Sequence, residues 1–121
     1  MQMKVGRHFE FEASHQLPKE EIYGLCSNLH GHRYELDIEV RGTVREEGWI
    51  CNFSELKDIV QKEILDKFDH AYLNDYFEVP TAENIIIWID RALTKVLESK
   101  NYEICRIRLY ETRKCYAEII K

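Results

Sequence analysis

The sequence predicts an α+β fold: a four-stranded antiparallel sheet with two helices on one face. Three observations predict it. Two segments near the N-terminus alternate apolar and polar residues, two central segments carry apolar residues at helical spacing, and two short alternating segments close the chain, giving the order ββααββ. The 121 residues are one domain's worth of sequence, so a single domain over 1–121 is expected. Five Gly and two Pro leave little material for a linker.

The first strand pattern covers residues 4–13, with Phe9, Phe11 and Ala13 on one face and His8, Glu10 and Glu12 on the other. The second covers 34–41, where Tyr34, Leu36, Ile38 and Val40 oppose Glu35, Asp37, Glu39 and Arg41. A helix is predicted from Phe53 to Phe68 by Leu56, Ile59, Val60, Ile64 and Phe68. Asn52 reads as its N-cap, with Glu55 placed as in a capping box. A second helix follows Pro80-Thr81, with Ile85, Ile89, Leu93, Val96 and Leu97 as its stripe. Residues 69–74 between the helices read as an irregular connection. In the third strand Cys105, Ile107 and Leu109 point inward, and Tyr116 to Ile120 forms the fourth.

With 17 Lys+Arg against 22 Asp+Glu, the net charge is −5. That argues against broad electrostatic binding to nucleic acid or to an anionic membrane. The densest apolar run, Ile85–Ile89, is too short to span a bilayer. The N-terminal residues show no signal-peptide core, so the cytosol is the expected location, with Cys26, Cys51, Cys105 and Cys115 as reduced thiols.

The sharpest local feature is Cys26-Ser27-Asn28-Leu29-His30-Gly31-His32. Extending the second strand backwards puts His30 and His32 on the face of Tyr34. Extending the first forwards puts His15 on the face of Phe9 and Phe11. Gly31 permits a close approach or a bulge there. Three neutral imidazoles in an apolar hollow suit Zn²⁺, with a fourth position for water or substrate. Two other readings stay open: satisfied core histidines, or a closed structural site with Cys26 as fourth ligand. Cys26 is alternatively a base or nucleophile, or simply a buried thiol. Asp69-His70 reads as a carboxylate–imidazole pair or as a polar loop. Glu111 shares the inward parity of Leu109, where a carboxylate needs partners such as two adjacent N–H donors, unless the strand has already ended. Pro80-Thr81-Ala82-Glu83-Asn84 reads as a helix N-terminus.

Taken together, six segments resemble the family of 6-pyruvoyl-tetrahydropterin and 6-carboxy-tetrahydropterin synthases. They are Phe11-Glu12-Ala13-Ser14-His15; Cys26-x-x-x-His30-Gly31-His32-x-Tyr34; Gly48-Trp49-Ile50-x-Asn52-Phe53-x-Glu55-Leu56-Lys57; Asp69-His70-x-x-Leu73-Asn74; Pro80-Thr81-Ala82-Glu83-Asn84; and Glu111-Thr112. The resemblance implies the tunnelling fold, in which trimers form a barrel and two trimers stack into a homohexamer with sites at subunit interfaces. It implies Zn²⁺ on His15, His30 and His32, Cys26 as base, and Asp69 with His70 as a second proton relay. Glu111 would anchor the pterin edge, with Thr81 and Glu83 near that pocket. The implied substrate is 7,8-dihydroneopterin triphosphate. The short chain and compact Cys-x-x-x-His-Gly-His segment resemble the branch that forms 6-carboxytetrahydropterin with loss of triphosphate and acetaldehyde, towards 7-deazaguanine bases such as queuosine. The pyruvoyl branch and a non-catalytic pterin- or zinc-binding module are the alternatives. Asn52 stands where the family usually has Asp. Arg33, Arg113 and Lys114 are candidate contacts for the triphosphate.

Overall fold

In the computed structural model, which describes residues 1–121, both N-terminal strands run past their alternating centres. β1 (Gln2–His15) and β2 (His30–Thr43) pair antiparallel from Gln2↔Thr43 to His15↔His30 without interruption. Phe9, Phe11, Ala13, Tyr34, Leu36, Ile38 and Val40 are all buried, as a two-residue period with one apolar face requires. β2 also pairs antiparallel with β4 (Tyr102–Thr112), and β4 with β5 (Cys115–Ile120).

Two details depart from the sequence expectation. The sheet has five strands and is mixed, because β3 (Ala71–Tyr72) joins β1 in parallel, giving the order β3-β1-β2-β4-β5. The connection expected to be irregular thus covers part of the edge of β1, whose N–H and C=O groups would otherwise be bare. The second departure is a bulge. The register moves from Glu39↔Arg106 to Val40↔Ile104, so Cys105 is skipped. Parity inverts there. Tyr102 and Ile104 join Ile107 and Leu109 in the core, while Cys105 lies outside it beside Lys4, Arg41 and Arg106.

α1 (Phe53–Val60) starts at Asn52, whose side chain accepts the Ser54 N–H at 2.8 Å. Glu55 does not complete a capping box; it pairs with Lys100. The helix then widens into a π-helical turn (Gln61–Leu65) before α2 (Asp66–Phe68). Four-residue spacing explains why. Leu56, Val60, Ile64 and Phe68 are all buried, yet in an α-helix each four-residue step drifts by about 40°. The wider turn rotates less per residue and brings Phe68 back to the sheet. After a 3₁₀ turn (Leu73–Asp75), α3 (Ala82–Leu97) is capped by Thr81, whose hydroxyl accepts the Asn84 N–H at 3.2 Å. Both helices cover the apolar face, and one core of 25 buried residues lies between them and the sheet.

The opposite face is charged. Lys4 pairs with Glu39, Arg106 bridges Glu39 and Glu118, and Arg108 contacts Glu118 while its guanidinium lies 4.2 Å from the centroid of the Tyr116 ring. No helix is long and apolar enough to cross a membrane. Between β1 and β2 a 3₁₀ stretch (Glu21–Ser27) buries nothing, and Ile22 and Leu25 are 87% and 85% exposed.

Leu36 sits at the centre of the sheet, fully buried between Phe9 and Leu109. Leu36→Ala is expected to lower unfolding free energy by about 2–5 kcal/mol, read from the midpoint of a denaturant titration.

Candidate metal centre and active site

The β1–β2 register puts His15 directly across from His30, with His32 two residues along on the same face. The three ring centroids are 4.6, 5.0 and 4.7 Å apart, with rings steeply inclined to one another. His15 is the one basic side chain in the buried set, 2% exposed. Its Nδ1–H donates to the Pro80 carbonyl at 2.9 Å, and the Tyr34 hydroxyl lies 3.2 Å from the same nitrogen. His30 Nδ1–H donates to the Asn28 carbonyl at 2.7 Å.

Those two carbonyls can only accept, so Nδ1 bears a proton in both rings, and in the neutral ring Nε2 carries a lone pair. Two neutral rings face each other through Nε2 at 3.0 Å with no proton to share. Two opposed lone pairs at that distance repel, and a cation between them removes the conflict. Tetrahedral Zn–N bonds of about 2.0–2.1 Å would hold donors about 3.3 Å apart, close to this spacing. His32 Nε2 is buried without a hydrogen bond, and a Glu111 carboxylate oxygen lies 3.2 Å away. Donor atoms of His15, His30, His32 and Glu111 all fall within 4.8 Å of one another. Burial holds His15 and His32 below the ordinary histidine value, although Glu111 opposes this, so both rings are neutral ligands at neutral pH. The residues therefore fit a divalent ion.

Glu111 points inward, as parity predicted, but toward the histidines. Cys26 is exposed on the 3₁₀ stretch and is not one of the converging donors, which disfavours the closed site with sulfur as fourth ligand. Asp69 and His70, though adjacent, do face each other: Asp69 Oδ1 is 3.1 Å from His70 Nδ1. The Glu12 N–H donates to the same oxygen at 3.0 Å and is the main reason the carboxyl is held below its usual range. His70 has a left-handed backbone (φ 61°) and its N–H donates to the Glu12 carbonyl. His70 and His32 border a common open hollow of about 470 Å³. Thr81 and Glu83 are at the start of α3 and line neither this hollow nor its neighbour. That neighbour, of about 290 Å³, is bordered by His32, Arg33 and Arg113 and by the carboxylates of Glu10, Glu35 and Glu111. Arg33 is engaged by Glu10, whereas Arg113 has no carboxylate partner.

Gly31 forms no bulge. It is in register with Ser14, and an added Cβ would meet only the Ala13 carbonyl at 3.6 Å. The carbonyls of Asn28 and Pro80 were invisible to sequence reasoning, because a backbone acceptor leaves no mark in residue type. A second donor group, His8, Glu10 and Glu35, occupies the charged face, where His8 Nδ1 lies 2.6 Å from Asp37 Oδ1.

Known proteins resemble this chain in sequence and in fold. The family model described as 6-pyruvoyl tetrahydropterin synthase matches residues 4–121. A 6-carboxy-5,6,7,8-tetrahydropterin synthase of Haemophilus influenzae is 33% identical over 141 aligned positions, covering 95% of this chain and 96% of its own. A 6-pyruvoyl tetrahydrobiopterin synthase of Dictyostelium discoideum is 38% identical over 114 positions, covering 83% and 84%. Among solved structures, the 6-pyruvoyl tetrahydropterin synthase of Caenorhabditis elegans superposes with a TM-score of 0.89 at 26% identity, covering all of this chain and 96% of that one. A family model that matches residues 4–121 and a superposition along the whole chain lead to one conclusion: the chain belongs to the 6-pyruvoyl tetrahydropterin synthase family.

Proposed function

We propose that this chain is a zinc-dependent 6-carboxy-5,6,7,8-tetrahydropterin synthase. It converts 7,8-dihydroneopterin triphosphate to 6-carboxytetrahydropterin, releasing triphosphate and acetaldehyde, in the supply of 7-deazaguanine bases such as queuosine. The observation that carries the metal reading is the pair of Nε2 lone pairs opposed at 3.0 Å, each ring fixed by a carbonyl on its far nitrogen. The carboxy branch is supported by the name of the Haemophilus relative, and the pyruvoyl alternative by that of the Dictyostelium relative.

A divalent ion on His15, His30 and His32 supplies Lewis acidity toward the substrate's side-chain hydroxyls. The chain's own residues do the rest. Cys26 takes a proton from the side chain as a thiolate. Asp69 orients His70, which delivers or removes a proton across the hollow it shares with His32. Glu111 accepts from the adjacent N–H groups of the pterin edge, beside Thr81 and Glu83 at the head of α3. Arg113, free of carboxylate partners, serves the triphosphate. The exposure of Cys26 supports a site completed by neighbouring chains, in a homohexamer of two stacked trimers. The exposed Ile22 and Leu25 beside it support that assembly, with an expected mass in light scattering six times the 14.5 kDa of one chain. Four unpaired cysteines are in keeping with the cytosol.

Product analysis by mass spectrometry tests the reaction. The expected outcome is 6-carboxytetrahydropterin with acetaldehyde; a pyruvoyl product selects the alternative, and no product from metal-loaded protein selects a binding module. Elemental analysis should find about one zinc ion per chain and a large loss in His30→Ala. Cys26→Ala should keep the ion while kcat falls by about 10²–10⁴-fold. Glu111→Gln should keep the ion and raise KM; loss of the ion would make Glu111 a fourth ligand instead.

A further inference from the structure

The parallel pairing of β3 with β1 ends after Ala13↔Ala71 and Ser14↔Tyr72, where the backbone turns away into Leu73–Asp75. Gln16, one residue beyond His15, nonetheless keeps both of its backbone groups paired. Its N–H donates to Asn74 Oδ1 at 2.9 Å, and Asn74 Nδ2 donates to its carbonyl at 2.7 Å. The carboxamide stands in for a peptide group and carries the pairing one rung further.

The same connecting segment grips β1 on the other side of His15. The Glu12 N–H donates to Asp69 Oδ1, and the His70 N–H donates to the Glu12 carbonyl. Pro80, six residues after Asn74, receives the Nδ1–H of His15 itself. The backbone of β1 is thus held at 12 and at 16, with His15 between the two holds.

We propose that Asn74 is a positioning residue for His15: its carboxamide fixes the exit of β1 and keeps the His15 ring aimed at His30 and His32. The inference rests on the metal reading above. Asn and Gln alone among side chains offer a donor and an acceptor in one amide plane. Ala would leave two half-buried backbone groups of Gln16 unpaired, and Asp would set a carboxylate against a carbonyl.

Cobalt(II) titration of the metal-free full-length protein tests this, because the visible d–d bands report ligand geometry. Asn74→Ala and Asn74→Asp should remain folded by circular dichroism, bind Co²⁺ about 10–100-fold more weakly than wild type, and show altered bands. Leu97→Ala, a core change at the far end of α3, should destabilise the fold and leave the bands unchanged. Wild-type bands and affinity in both folded Asn74 variants would overturn the proposal. So would equal weakening in Leu97→Ala, or failure of both Asn74 variants to fold, since Asn74 would then act on the fold as a whole. If Asn74→Ala alone fails to fold, Asn74→Asp decides. A wild-type protein that takes up no Co²⁺ would instead bring down the metal reading, and this inference with it.

Discussion

β1 and β2 are joined along their full length, and their register is set by which side chains must leave water. Phe9, Phe11 and Ala13 face the helices with Tyr34, Leu36, Ile38 and Val40, and a slip of one residue would turn one of those rows into solvent. The same register carries forward to the strand ends, where the inward row changes from hydrocarbon to imidazole. His15 opposite His30, with His32 beside them, is therefore a consequence of core packing several residues away. Burying His15 and His32 favours their neutral form, and the carbonyls of Pro80 and Asn28 turn the Nε2 atoms of His15 and His30 toward each other.

Much of this was legible in the residues. Strict alternation read His15, His30 and His32 onto one face, and it turned Glu111 inward as well. The cap at Asn52 was readable because capping uses side-chain oxygens of recognisable types. Three things were not legible. The bulge at Cys105 has no compositional mark, since Ile104 and Cys105 are both apolar and either satisfies an alternating pattern. β3 is two residues long and carries no period. Asn74, beyond its place in the family resemblance, looks like any polar loop residue until its partner 58 positions away is known.

The charged face of the sheet is a network of opposed charges. His8 is surrounded there by Glu10, Glu35 and Asp37, and the hydrogen bond to Asp37 raises its pKa above the usual histidine value. Glu10 and Glu35 are direct cross-strand neighbours, a like-charge pair that Arg33 offsets through Glu10. Glu10 and Glu35 also border the hollow that holds His32 and Arg113, so the unpaired Arg113 offsets carboxylates there.

The π-helical turn at Gln61–Leu65 also constrains how this chain can vary in length. Removing one residue from it would relax the helix to ordinary geometry and still leave Phe68 within about 20° of the Leu56 face. Removing a second would turn everything downstream by about 100°: Phe68, whose ring centroid is 6.3 Å from that of Phe11, would leave the sheet, and Asp69 and His70 would lose Glu12. Larger changes in length thus belong in segments such as Glu21–Ser27, which bury nothing, while the stretch from Leu56 to His70 has one residue to give before the metal-binding end of β1 is disturbed.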